Sequence, residues 1–368
     1  MPSLEQMLQR HGGRWDPGQN TELSRLVEVN TRRIRRMQDA SFASLRPPME
    51  FILINNGSFN AFATRYGQTD IVAMHVGLVL ILNNLFLAIM SHPEVMPKVG
   101  NRTIEKIKLY DVEQFNVDIY KAAEEAASLC PNDPIRKDYA LKLSWIARNF
   151  ILEHEFCHIF NGHVDWLSSH SNIDAFDEIE IPLLPKLSSL NRQTLEMDAD
   201  CYGATYTALE IFRNGGPSKT LANPFMDSHV DALYAIHFAL YAAFRIFHNK
   251  PIDQIDSLLG DKNHPPAVLR QFIIGATIAS RSDDNSDIKS HISLQENSEI
   301  GVRAMRGVEA AFLFLSGREW DPKVAFDADR FPEGIGRACL AASNKLRDHW
   351  KILREELQPF KRGKQLAE

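Results

Sequence analysis

Between His154 and His163 the chain reads His-Glu-Phe-Cys-His-Ile-Phe-Asn-Gly-His. His154 and His158 are four residues apart, which on an α-helix stacks both imidazoles on one face about a turn apart. That spacing suits a zinc ion, which takes imidazole nitrogens at roughly 2.0–2.1 Å. Glu155, one residue past the first histidine, has the place of a general base toward a water on such an ion. A third donor is offered downstream. Glu196, in Leu195-Glu196-Met197-Asp198-Ala199-Asp200-Cys201, lies in a run from Thr194 to Phe212 whose apolar and small residues recur at helical spacing. His154, His158 and Glu196 would make a two-histidine, one-glutamate site for one zinc per chain, with the fourth position open for water as in catalytic sites. Asp200, a turn after Glu196 on the same face, can accept the free ring N–H of a ligating histidine and so fix its tautomer.

The chain resembles a known family on four stretches in the same order. Asn60-Ala61-Phe62-Ala63 followed by Ile71-Val72-Ala73-Met74-His75-Val76-Gly77-Leu78 is similar to the "NAFA…GL" stretch of the HtpX and CAAX prenyl protease family of gluzincin metallopeptidases. His154 to His163 resembles its His-Glu-x-x-His helix with the trailing Gly-His, and Glu196-x-x-Ala199-Asp200 its third-ligand helix. His264-Pro265-Pro266-Ala267-Val268-Leu269-Arg270 is similar to its later His-Pro…Arg element. The resemblance covers about residues 45 to 280. It implies a zinc endopeptidase acting on a protein or peptide, and it sets the His-Pro element near the metal. Many members of that family are integral membrane proteins, whereas this chain reads as a soluble version.

The chemistry expected of such a site is peptide-bond hydrolysis. Zinc lowers the pKa of its water toward about 7. Glu155 would take the proton and return it to the leaving amine, assistance worth on the order of 10²–10⁴-fold. The tetrahedral oxyanion also needs an electrophile. His264 is the first candidate, either supporting the oxyanion or ligating the open position and holding the enzyme latent; Tyr202 and Tyr206 stand behind it. His163 is read as a hydrogen-bonding group near the helix end, and His75, His229, His237 and His248 have no ligand spacing with the motif. Cys157 lies one residue before His158, off the ligand face, and with Cys201 reads as a small packing residue.

Asp133-Pro134 predicts an N-cap with proline in the first turn. The helix so opened runs to His158, and Asn161-Gly162 ends it. Asn20 to Ser44 has helical spacing, and Met49 to Ile54 and Ile71 to Met74 are short apolar runs read as strands, with Asn55-Asn56-Gly57 as a turn. Asn60 is either a turn former or a brace for an edge on which substrate backbone pairs. Met226 to His248, Pro265 to Ser280, Ser298 to Leu315 and Ile335 to Leu357 read as helices. The segment 167–190, rich in Ser, Asp and Pro, is either a lid or a surface insertion. The fold class expected is α+β, mostly helical: a zincin-like metallopeptidase core with a small sheet and an active-site helix carrying His-Glu-x-x-His. Its divisions are an N-terminal helical segment 1–44, a metallopeptidase core 45–282 and a C-terminal helical extension 283–368.

Composition narrows the rest. With 368 residues, 44% hydrophobic and 24% charged, the chain can bury a large core. A net charge of −6 gives no electrostatic case for nucleic acid, and the basic run Arg32, Arg33, Arg35, Arg36 reads as a solvated helix face. The first residues lack the basic and apolar regions of a secretory signal. Ile71 to Met90 is the one candidate for a membrane span, but His75, Asn83, Asn84 and Gly77 favour a strand followed by a buried helix, so no integral membrane segment is expected. Cys130, Cys157, Cys201 and Cys339 show no disulfide spacing, which fits the cytoplasm. Two other functions compete with a general endopeptidase: a zinc-stabilised regulatory or interaction protein without turnover, and a narrow single-target protease of a stress or phage response. Glu155 speaks against the first, because a structural site has no use for a base.

Overall fold

Helices make up most of the chain, and all but one of the strands fall in a short stretch near its front. The structure is a computed structural model describing residues 3–16, 18, 21–41, 48–112, 115–171, 175–177, 188–213, 216–247, 258–259, 264–284, 293–317, 333–362 and 366. In chain order the elements are α1 (Leu4–Gln9), α2 (Thr21–Ser41), β1 (Met49–Ile54), β2 (Ala61–Tyr66), β3 (Thr69–His75), α3 (Val76–Ser91), α4 (Ala122–Leu129) and α5 (Pro134–Phe160). Then follow α6 (His163–Ser171), β4 (Ala175–Asp177), α7 (Ser189–Arg213), α8 (Pro217–Leu221), α9 (His229–Phe247), α10 (Ala267–Asp284), α11 (Leu294–Leu315) and α12 (Glu333–Leu357). The class is α+β, mostly helical with a small sheet.

The sheet has the order β1-β3-β2-β4, with β1 parallel to β3 and β2 antiparallel to both of its neighbours. Alternate side chains leave on opposite faces. Phe51, Leu53, Ala61, Ala63, Val72 and Met74 enter the main core. Ile52, Ile54, Phe62, Ile71 and Ala73 meet Leu8 of α1 on the other face. Burial on both sides explains why β1 and β3 are near-continuous apolar runs. Several elements go beyond the sequence reading: α1, β2, α4, α6, β4 and α8. β2 is short and carries two alanines and an arginine, and it turns into β3 through Gly67 at φ 59°, a conformation glycine adopts freely. α1 is announced by a capping box between Ser3 and Gln6. β2 pairs with β3 along its whole length and with β4 from Phe62 to Thr64, and the Asn60 carbonyl accepts from the His75 N–H on the β3 side.

α5 is fixed at both ends. At its start the Asp133 carboxylate accepts from the N–H groups of Ile135 and Arg136, and Pro134 sits where no N–H is needed. The buried Arg136 guanidinium donates to the carbonyls of Met90, His92, Val95, Met96 and Val99, tying the first turn to the end of α3 and the chain beyond it. At its far end Asn161 caps the helix, and Gly162 takes φ 80° with the backbone of Phe360 lying where a Cβ would be. The Arg362 N–H donates to the Phe160 carbonyl at 2.7 Å. α7 lies along α5, and the approach is close because Gly203 has no side chain: a Cβ there would stand 3.0 Å from the Phe150 carbonyl oxygen. β2 and β3 pack on α5 as well, α9, α10 and α12 pack on α7, and α12 also meets α6 and α10.

Ile71 to Met90 divides into β3 and the buried α3, as the polar residues in it require. Among the described residues it is His229–Phe247 instead that is long and apolar enough to cross a membrane, and 78% of that window is buried inside the fold. The basic run is not simply a solvated face: Arg33 pairs with Glu153 on α5 and Glu210 on α7. Burial pushes the Glu153 carboxyl up to about 7 against the opposing charge of Arg33. Of the segment 167–190, the structure describes the end of α6, β4 and the start of α7, and the rest of the expected lid lies outside the described residues.

Candidate metal centre

One face of α5 and one face of α7 bring His154, His158 and Glu196 together, all three buried. His154 Nε2 lies 3.1 Å from His158 Nε2 and 3.3 Å from Glu196 Oε2, and His158 Nε2 lies 3.7 Å from Glu196 Oε1. Donors held 2.0–2.1 Å from a tetrahedral ion stand about 3.3 Å apart, so the separations match a metal-sized gap.

The donor chemistry fits as well as the spacing. His154 Nδ1 is 3.0 Å from Asp200 Oδ1, and the carboxylate accepts a hydrogen bond from a protonated Nδ1, which leaves Nε2 as a bare lone pair. Arg270 of α10 secures that carboxylate, donating from Nε to Oδ2 at 2.8 Å and from Nη2 to Oδ1 at 2.7 Å. Burial is the largest single influence and would raise the Asp200 carboxyl, but the Arg270 charge, the hydrogen bonds of His154 and Arg270 and the His154 charge together hold the group below its usual range. The guanidinium also lies over the Phe244 ring, 4.2 Å from its centre. Burial likewise drives His158 well below its usual pKa, keeping it in the neutral form that ligates metals. Burial would raise the Glu196 carboxyl, yet the charges and hydrogen bonds of His264 and His154 hold it well below the usual carboxylate range. A neutral His158 beside ionised Glu196 and Asp200 suits a cation site.

The remaining sequence candidates divide. His264 stands at the centre, with Nδ1 3.0 Å from Glu196 Oε2, and is mostly enclosed at 19% side-chain exposure. Glu155 is buried on α5 next to His154. Tyr202 and Tyr206 stack on each other at 4.3 Å, Tyr202 also lies parallel to Phe160, and Tyr206 is 42% exposed. Both rings are engaged in aromatic contacts along α7.

A second cluster escaped the sequence reading. Cys157, His163 and Asp198 are buried together and close enough to one another to hold a metal ion. Cys157 is therefore more than a packing residue: its Sγ lies 3.3 Å from Asp198 Oδ2 and accepts from Asn161 Nδ2 at 3.3 Å. The available signal was the Gly162 turn, which folds His163 back beneath the helix end. Cys201 accepts from the Thr277 hydroxyl at 3.2 Å. All four cysteines are free.

No family model matches the chain, and no curated protein or solved structure does.

Proposed function

We propose that the chain is a zinc-dependent endopeptidase with a zincin-like core, a soluble relative of the HtpX and CAAX prenyl protease family. The observation that supports this best is the meeting of His154, His158 and Glu196 at metal-ligand spacing, with the buried Glu155 next in sequence to the first of them. Zinc bound there supplies a Lewis acid toward a peptide carbonyl and an acidified water. The chain's own groups do the rest. Glu155 accepts the proton lost by the attacking water and delivers it to the leaving amine. Asp200 and Arg270 keep His154 Nε2 free of a proton and aimed at the centre. His264 pairs with Glu196 and favours its ionised form, and we assign it the support of the developing oxyanion. A buried donor set excludes bulk water from these contacts, which strengthens them. The substrate class is protein or peptide, and the free cysteines favour the cytoplasm.

Elemental analysis of protein expressed with ample metal should find one zinc per chain. An unbiased peptide-library digest should find cleavage that a chelator abolishes. Absence of zinc, or a crystal structure with Glu196 turned away from both histidines, overturns the reading.

A further inference from the structure

We propose that Asp198 and His163 set the tautomer of His158, so that the second histidine of the motif is made a ligand by a buried relay of its own; the inference rests on the zinc reading above. His158 Nδ1 lies 3.0 Å from His163 Nδ1, and His163 Nε2 lies 3.2 Å from Asp198 Oδ2. The three residues come from α5, the first position of α6, and α7, and all are buried.

Counting protons decides the arrangement. A contact between two Nδ1 atoms holds one proton, on one ring or the other. If it sat on a neutral His163, the ring's Nε2 would be a lone pair facing a carboxylate oxygen, two acceptors in contact in a dry interior. With the proton on His158 Nδ1, His163 accepts at Nδ1 and carries its own proton on Nε2, which faces Asp198 Oδ2 at 3.2 Å as a close charge contact rather than an aligned hydrogen bond. Each contact then has one donor and one acceptor. His158 Nε2 becomes a bare lone pair pointing at His154 Nε2 and Glu196, where a ligand is wanted. Asp198 is in turn fixed as an acceptor, because Asn161 Nδ2 donates to its Oδ2 at 2.5 Å and the Cys157 thiol lies 3.3 Å from the same oxygen. That Asn161 N–H group also argues against reading Cys157, His163 and Asp198 as a second metal site, since it points a donor at both the thiol and the carboxylate. His154 thus takes its tautomer from Asp200 and Arg270, and His158 from His163 and Asp198. Ligating histidines oriented in this way lose metal affinity when the outer partner is removed.

The test compares the full-length wild type with His163→Asn, His163→Phe and Asp198→Asn, using zinc alone in competitive chelator titration and the absorption spectrum of the cobalt(II)-substituted protein. Asn keeps an acceptor near the old Nδ1 position, whereas Phe keeps the ring without one. A structural filler would favour Phe. The relay instead requires His163→Phe and Asp198→Asn to weaken zinc by about 10–100-fold and to alter the cobalt spectrum, with His163→Asn within about threefold of wild type. Equal zinc affinity in all four proteins overturns the relay while leaving the zinc reading intact. A second zinc equivalent in the wild type that His163→Phe loses also overturns it, in favour of a second metal site. Failure of the wild type to bind zinc overturns both. Should a variant not fold, nitrogen-15 spectra of histidine-labelled, zinc-loaded wild type still decide: His163 must be protonated at Nε2 alone and accept at Nδ1 from His158, and a proton on His163 Nδ1 refutes the relay.

Discussion

Arg270 grips Asp200 by two parallel hydrogen bonds, at 2.8 and 2.7 Å, while the same carboxylate takes the ring of His154 at 3.0 Å. A planar fork fits both oxygens at once, which a lysine ammonium cannot do. Asp200→Ala should weaken zinc binding by about 10–100-fold in a competitive chelator titration. Arg270→Met leaves a buried carboxylate without its counter-charge, a change that costs about 3–5 kcal/mol of stability. Urea unfolding of the metal-free protein measures that cost, and Arg270→Lys should recover only part of it. Unchanged zinc affinity in Asp200→Ala would assign the residue to packing.

Glu155→Gln preserves the shape of the side chain but cannot accept a proton. The variant should bind zinc and melt as the wild type does, and lose at least about 100-fold in turnover. Any substrate that both proteins cleave equally well removes Glu155 as the base.

His264 touches Glu196 without belonging to the three-donor set. We expect His264→Ala to keep most of its zinc and to lose turnover by on the order of 10²-fold, the size of losing one oxyanion donor. A rise in turnover would instead identify a ligand that holds the site latent. No change on a cleavable substrate reduces His264 to a loop residue.

Acid should destabilise the protein through buried histidines outside the motif. Burial pushes His75 and His237 down to about 4 in the fold, against 6.5 for the unfolded side chain. Above pH 6.5 both states are neutral and the two residues leave stability unaffected by pH. Between 6.5 and 4 the unfolded chain takes up protons that the native one refuses, so stability falls as pH falls, by on the order of 2–3 kcal/mol per histidine. Melting temperature recorded from pH 7 to 4 should show the decline, with a shallower slope in His237→Gln. Parallel slopes would exclude His237. Its ring lies between Gln271 of α10 and Asn297 of α11, at 2.7 and 3.2 Å, so its protonation would strain the seat of Arg270's helix.

The sequence carried the motif helix well, because its limits are written in local chemistry: an aspartate and proline at one end, an asparagine and glycine at the other. β1 was legible for a similar reason, being an apolar run closed by a turn signal. Glu196 and Asp200 could be chosen because a four-residue spacing puts both on one helix face. What escaped notice depends on contacts between distant segments. Charge pattern cannot tell a solvated arginine from one like Arg33 that crosses to Glu153 and Glu210. The Gly162 turn was visible, but its consequence, His163 folded back against His158 and meeting Asp198, needs α7 to be in place. β2 lacks the branched and aromatic density that marks a strand, and is held by the neighbours that pair with it.

The backbone of Phe360 pressed on Gly162, and the bond from Arg362 to Phe160, put a time order on the making of the site. The motif helix can leave the ribosome early, but the carbonyl at its end meets its partner only once Arg362 has been synthesised, on the order of 10–40 seconds later at 5–20 residues per second. Arg362 also pairs with Asp70 of β3 and Asp165 of α6, so its arrival clasps sheet, motif helix and α6 in one event. If the centre performs the hydrolysis proposed above, locking it this late leaves little chance for it to act while the polypeptide bearing it is still being made.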